Sequence, residues 1–252
     1  MEKQLFNHVP DAFALPSPDE LKVLMKERFY RQAYVMIDRW PADIAALSVP
    51  TILIPLDKDI EAIFASDDEA ALPVLEKYAA AIDAAIGWRP HFIRLTSRSP
   101  KDVSHPGLPI TCAGKQAMSW IMNSERCMDD IALAHAAGER LQIALRQLYH
   151  APKGGEFRCF AKDGKMIAMT RYDFQTPVPE GFEYDGKDIF ARISAWYDDK
   201  IAKHYQTVVF DVDLGSYEHE EPLLIELNPY GMSHPCLFAS YDEIEESGGF
   251  RA

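Results

Sequence analysis

Two segments near the C-terminus, 207–213 and 223–228, constrain this chain more than any other feature, because apolar side chains recur there at every second position. Side chains in a strand point alternately to opposite faces, so this period predicts two strands with one face in a core. Phe210, Val212, Ile225 and Leu227 form the core-facing set. Val209, Asp211 and Asp213 share the other face of the first strand, and Leu224, Glu226 and Asn228 that of the second. Close carboxylates repel, and burying them unpaired is costly. A hard cation resolves both difficulties, and magnesium takes oxygen ligands, commonly one or two carboxylates completed by substrate phosphates. Asp211, Glu226 and Asn228 are therefore candidate magnesium ligands. Asp213, beside Leu214 and Gly215, reads also as a solvated strand end.

The rest of the chain supplies helices and further strands. Ser17, Pro18 and Glu20 make a capping box opening a helix to about residue 29. Residues 51–54 read as a short buried strand. Ser66 and Glu69 form a second capping box on a helix reaching Ile86, with Pro73 kinking it or delaying its start. A strand over 92–96 precedes the polar loop 97–102. Residues 114–137 read as helix broken at Asn123-Ser124, with Ser124 capping the second half. A strand covers 141–149, Gly154-Gly155 ends the connection, and a later helix spans roughly 187–205. Strands cluster with helices interspersed, which predicts an α+β fold with largely antiparallel sheets.

Asp163-Gly164 is a strong two-residue turn signal between apolar-rich runs at 156–162 and 165–172. A plain hairpin places Glu156 opposite Arg171 and Arg158 opposite Met169, with both arginines on one face. Guanidinium forks match phosphate or carboxylate oxygens, so Arg158 and Arg171 are candidate anion ligands. The alternative for Arg171 is a wet cross-strand ion pair with Glu156. Arg94, on a mostly apolar strand, leads into Ser97, Ser99, Lys101 and Asp102, whose hydroxyls, amides and charges suit phosphates.

A net charge of −13 argues against a nucleic-acid or anionic-membrane binder, which needs a basic footprint. Magnesium masks phosphate charge, so an acidic protein can still handle nucleotides. Cys112, Cys127, Cys159 and Cys236 have no C-x-x-C spacing and read as free thiols. Residues 1–10 lack the apolar run of a signal peptide, and no stretch approaches the ~18 apolar residues of a membrane helix. The expectation is a cytoplasmic protein. No Gly-x-Ser-x-Gly elbow, Walker glycine pattern or histidine metal spacing is present.

Several segments together resemble the cell division cycle protein 123 family, a branch of the ATP-grasp superfamily. They are Trp40-Pro41 with 51–56, the stretch 92–102, residues 143–148, the hairpin strand 156–168, and the segments 209–212 and 224–231. The resemblance implies an ATP-grasp fold, two α+β lobes enclosing a nucleotide cleft. It implies one unit over 1–252, with an N-terminal segment and first lobe in 1–138 and a nucleotide- and metal-binding lobe in 139–252. ATP and Mg2+ are the implied cofactors. Arg94 takes the place of a phosphate-binding lysine, Lys101 and Asp102 match the family loop, and Arg146, Gln147 and Leu148 border adenine. Arg158 matches a phosphate-side arginine with a catalytic role. Asp211, Glu226 and Asn228 match the metal ligands. The family has Gln-Arg-Asp where this chain has Arg171-Tyr172-Asp173, which turns the arginine to the other face.

The implied function is either an ATP-dependent ligase, joining a carboxylate to an amine, or an assembly chaperone for a protein client such as a translation initiation factor. In another class, Asp211-Val212-Asp213 reads as the D-x-D motif of a nucleotide-sugar glycosyltransferase.

Overall fold

A computed structural model describes residues 16–60, 68–103, 108–149, 155–172, 185–214 and 221–251. The Ser66–Glu69 capping box, Gly154, Asp173 and Gly215 fall wholly or partly outside them. The N-terminal helix α1 (Pro18–Ala33) carries the full capping box: Ser17 accepts from the Glu20 amide, and Glu20 reaches back to the Ser17 amide at 2.8 Å. It outruns its expected end because Phe29, Gln32 and Ala33 are buried as α1 packs on α5 (Glu125–Ala137).

Four strands make the first sheet: β1 (Thr51–Pro55), β2 (His91–Leu95), the two-residue β3 (Ile110–Thr111) and β4 (Gln142–Gln147). Their spatial order is β1-β4-β2-β3, antiparallel throughout. Because β4 lies in its middle, the division between the sheets falls after Gln147, not at residue 138. Helices α3 (Asp68–Ile86), α4 (Gly114–Asn123) and α5 share the core of this lobe with α1. Pro73 stays inside α3, exposed and close to the first turn, where its missing N–H does least damage. Gly114 lets α4 approach α3, since a Cβ there would overlap the Ala79 carbonyl. Ser124 caps α5 through the Cys127 amide at 3.2 Å, as the sequence predicts.

The second sheet contains β5 (Glu156–Lys162), β6 (Lys165–Arg171), β7 (Val208–Asp213), β8 (Leu223–Asn228) and β9 (Gly249–Arg251), in the order β8-β7-β5-β6-β9. Only the β6–β9 pair is parallel among these. Helix α6 (Gly186–Lys200) buries Ile189, Ile193, Trp196 and Tyr197, spaced as one helix face, beneath the sheet. Tyr197 stacks on Phe210 with ring centroids 5.3 Å apart, and its hydroxyl donates to the Tyr205 carbonyl at 2.9 Å, tying down the turn after the helix. A turn of 3-10 helix at Ile37–Arg39 and the short α2 (Ala42–Ala45) carry the chain between lobes: Phe29 and Met36 join the first core, Trp40 and Ile44 the second. The last helix, α7 (Tyr241–Ser247), and β9 close the sheet beside β6. Among the described residues no helix is long and apolar enough to cross a membrane.

Two bulges correct the strand registers expected above. Asp163 and Gly164 both have positive φ, 52° and 76°, the geometry of the expected two-residue hairpin turn. A register shift at Phe160/Ala161 then pairs Arg158 with Thr170 and Phe157 with Arg171. Arg158 and Arg171 therefore lie on opposite faces. A second shift, at Asp211/Val212, pairs Asp211 with Glu226 but Val212 with Leu224, leaving Ile225 as the extra residue. Leu224 turns into the core with Val212, and Ile225 leaves it for the cleft.

Candidate nucleotide and metal site

Alternation along three neighbouring strands builds one charged row: Arg158 on β5 pairs with Asp211 on β7, and Asp211 with Glu226 on β8. Arg158 grips Asp211 with both arms of its fork, Nε to Oδ1 and Nη2 to Oδ2, each at 2.8 Å. Its remaining Nη1 donates to the His234 carbonyl at 3.1 Å. The Asn228 amide donates to Asp211 Oδ2 at 3.2 Å. Asp211 is 1% exposed, so this carboxylate is satisfied from within its own sheet.

The first lobe reaches into the same row. Arg94 on β2 donates to Glu226 Oε1 at 2.7 Å, and to the carbonyls of Leu95 and Ser97. Arg146 on β4 donates to the Ile225 carbonyl and to Ser48 Oγ, both at 2.7 Å. The Ile225 bulge thus exposes a carbonyl that the other lobe uses. Lys101, on the loop after β2, donates to the Tyr172 hydroxyl at 3.2 Å. The Tyr172 ring lies 4.9 Å from the Arg158 guanidinium carbon and 5.4 Å from Lys101 Nζ.

Between the lobes lie two adjoining chambers that share Ser99, Lys101, Tyr172 and Glu226. One, about 320 Å³, is lined by Val49, Phe92, Leu108, Ile110, Leu148 and Ile225, with Arg94, Arg146, Gln147, Tyr149 and Glu156 as its polar groups. The other, about 400 Å³, is polar and contains Arg158, Asn228 and His234. A chamber with an apolar lining that opens onto cations and carboxylates has the chemistry of a nucleoside site continued by a phosphate site.

Electrostatics mark the junction. Burial opposes ionisation of Glu226, but Arg94, Lys101 and Arg158 outweigh it and bring the carboxyl down to about 2. Burial lifts Asp211 against the pull of Arg158. Burial first, then the Asp211 charge, pushes Glu156 up to about 8. Burial and neighbouring Arg94 lower Arg146 to about 10. Lys101 is raised: Tyr172 and Glu226 overcome the opposing effect of burial.

Among the described residues no group of three or more His, Cys, Asp or Glu stands at metal-binding distances. Asp211 gives both oxygens to Arg158 and Glu226 gives one to Arg94, so of the expected donors Glu226 and Asn228 face the polar chamber, which suits magnesium only because that ion needs as few as one carboxylate once phosphates and waters complete its shell. A cation beside Asp211 and Glu226 also offsets the acidic surplus that lifts Glu156 and Asp211.

Of the residues expected from the sequence, Arg94, Ser99, Lys101, Arg146, Gln147, Leu148, Arg158, Glu226 and Asn228 line the chambers, with Asp211 behind Arg158. Besides Asp211, two residues do not line them. Asp102 accepts from Ser124 Oγ at 2.6 Å and from the Arg126 amide, drawn by the N-terminal dipole of α5. Arg171 is turned away by the hairpin bulge. Asp213 is buried opposite Glu156 rather than solvated. Tyr172 and Glu156 escaped the sequence reading as site residues. Tyr172 sits two positions beyond Thr170, Arg158's strand partner, a spacing visible only once the bulge is known. Arg28 and Gln32 of α1 reach the polar chamber with no sequence signal at all.

Two antiparallel-rich α+β lobes enclose this cleft. The chain belongs to the D123 family, whose model matches residues 66–250. The structure of Cdc123 from Schizosaccharomyces pombe is similar over 87% of this chain and 92% of that one, with a TM-score of 0.64 and 19% identity. A translation initiation factor eIF2 assembly protein of Danio rerio is 27% identical over 106 residues, 41% of this chain and 29% of that protein. The counterpart from Xenopus tropicalis is 24% identical over 108 residues, 43% of this chain and 32% of its own length. The matched stretch thus spans less than a third of either vertebrate protein.

Proposed function

We propose that this chain binds ATP with magnesium between its lobes and uses the nucleotide to assist assembly of a protein client, in the cytoplasm. The observation that carries the nucleotide reading is the pair of adjoining chambers, apolar beside Gln147 and Leu148 and charged at Arg94, Lys101, Arg158, Glu226 and Asn228. Gln147 and Leu148, at the end of β4, border the base. Lys101, Arg94 and Arg158 would hold the phosphates, and Asp211, Glu226 and Asn228 the metal. When bound, magnesium would neutralise phosphate charge, while the arginines orient the chain of oxygens.

The client reading rests on family membership and on the likeness to the two vertebrate eIF2 assembly proteins. A second reading, an ATP-dependent ligase, is favoured by the polar chamber beyond Glu226, which leaves room for an acceptor next to the phosphates. The D-x-D glycosyltransferase reading has no support from the family.

Calorimetry and thermal shift with ATP, ADP and a UDP-sugar, each with and without magnesium, test the proposal. Magnesium-dependent stabilisation by ATP, lost in Asn228→Ala, is the expected result. A protein silent to ATP and responsive to the UDP-sugar would overturn it. ADP release that needs a protein client favours the assembly role, and release with a small carboxylate and amine favours the ligase.

A further inference from the structure

One cation of the cleft stands where a metal is expected. Arg94 Nη2 donates to Glu226 Oε1 at 2.7 Å, and the two side chains are 4% and 19% exposed. The guanidinium is fixed on its own lobe, with Nε on the Leu95 carbonyl at 3.0 Å and Nη2 on the Ser97 carbonyl at 3.1 Å. Both hydrogens of Nη2 are therefore used, one on Ser97 and one on Glu226. Nη1 makes no hydrogen bond among the described residues, and Arg94 lines the apolar chamber. Asp211 offers a cation no easier foothold: it is 1% exposed and accepts from Arg158 Nε, Arg158 Nη2 and the Asn228 amide. A cation that approaches Glu226 without a nucleotide therefore competes with a guanidinium already seated there, and displacing it strands that guanidinium in a nearly dry site. A phosphate changes the balance, because it gives the guanidinium a second anion. The bridge is one of several ties between the lobes. Arg146 holds the Ile225 carbonyl and Ser48, and the Leu224 amide donates to the Leu47 carbonyl at 2.9 Å.

We infer that Arg94 is a built-in counter-ion standing in for the metal at Glu226, so that this carboxylate stays closed to a divalent cation until nucleotide phosphates engage the Arg94 guanidinium. This deepens the proposed function: the trigger rests on the nucleotide reading, and the closed state of Glu226 does not. The same side chain then opposes a bare cation and favours a phosphate-bound one. Truncating Arg94 must move the two affinities in opposite directions, which loss of structure does not do.

The probe is Mn2+ without nucleotide, titrated by electron paramagnetic resonance into the parent, Arg94→Ala, Glu226→Gln and the double variant. ATP with magnesium is titrated by calorimetry into the parent and Arg94→Ala. Removing the competing guanidinium should tighten Mn2+ binding about tenfold, the scale of one charge-assisted hydrogen bond. That gain should vanish in the double variant. Glu226→Gln alone should change Mn2+ affinity by about threefold at most, because Arg94 already occupies the carboxylate. ATP affinity in Arg94→Ala should fall about tenfold. Arg94→Lys is the second variant should Arg94→Ala lose its cooperative melt; a lysine keeps the charge without the fork, so its Mn2+ gain should be smaller, about threefold. Equal Mn2+ affinity in the parent and the Arg94 variants overturns the inference. So does a tenfold or larger loss of Mn2+ in Glu226→Gln alone, which would mean that the carboxylate is open to a metal with Arg94 in place. Unchanged ATP affinity in Arg94→Ala overturns the trigger. Failure of ATP to bind the parent at all would sink the nucleotide reading, while the Mn2+ cycle, run without nucleotide, still decides whether Arg94 closes Glu226.

Discussion

The two sheets satisfy their cleft charges in different ways. In the second sheet Arg158, Asp211 and Asn228 pair among neighbouring strands, with no help from the first lobe. In the first sheet Arg94 and Arg146 find their partners, Glu226 and the Ile225 carbonyl, across the cleft on β8. The second sheet is thus a finished charged platform. The first contributes cations that are complete only when the lobes meet. Charge in one region belongs to the stability of a sheet, and in the other to the contact between lobes.

The largest effect should come from breaking the platform. Asp211→Ala leaves Arg158 buried at 6% exposure without its counter-ion and should cost about 3–5 kcal/mol in urea unfolding. A loss near zero would show that the second sheet does not depend on this pair. Arg94→Ala comes next. Its partner Glu226 is 19% exposed and can recover water, so a loss of roughly 1–3 kcal/mol is expected. The sharper readout is protease or hydrogen-exchange opening at β8, which should rise in Arg94→Ala.

Glu156 tests the acidic surplus between the sheets. Its folded carboxyl titrates at about 8 against an ordinary 4.5, so between those values the folded state holds the extra proton. Stability therefore falls as pH rises through that window. Glu156→Gln should match the parent at pH near 4.5 and exceed it above 8, with a gap on the order of 1 kcal/mol or more. A melting-temperature profile that keeps the two parallel would remove Glu156 from the buried acid cluster. The smallest effect is expected for Arg39→Ala, whose bridge to Glu139 is about one-third exposed on both sides and is worth about 0–1 kcal/mol. Its unfolding midpoint should barely move.

Much of this was legible in the residues. Alternation placed β7 and β8, Asp163-Gly164 placed the hairpin, and Ser17 and Ser124 placed two helix starts, because each signal is local to a few neighbouring positions. The site was legible as a set of candidate ligands. Bulges were not: one extra residue at Ile225 or Ile167 leaves no mark on the apolar pattern, yet it re-aims every side chain beyond it. That single effect removed Arg171 from the cleft, sent Leu224 into the core and brought Ile225 out. Asp102 lies off the cleft for another reason, since a carboxylate near a serine suits either a phosphate loop or a helix cap.

The sequence by itself determined the longer strands and helices, though not α2, β3, α7 or β9, and that Asp211, Glu226 and Asn228 share a polar strand face. Local sterics and side-chain period are properties of adjacent residues. The tertiary structure alone decided that β4 belongs between β1 and β2, and that α1 supplies a wall of the polar chamber. It alone placed Arg94 against Glu226, 132 positions away. Those pairings depend on how two cores close against each other, and no short-range pattern encodes that geometry.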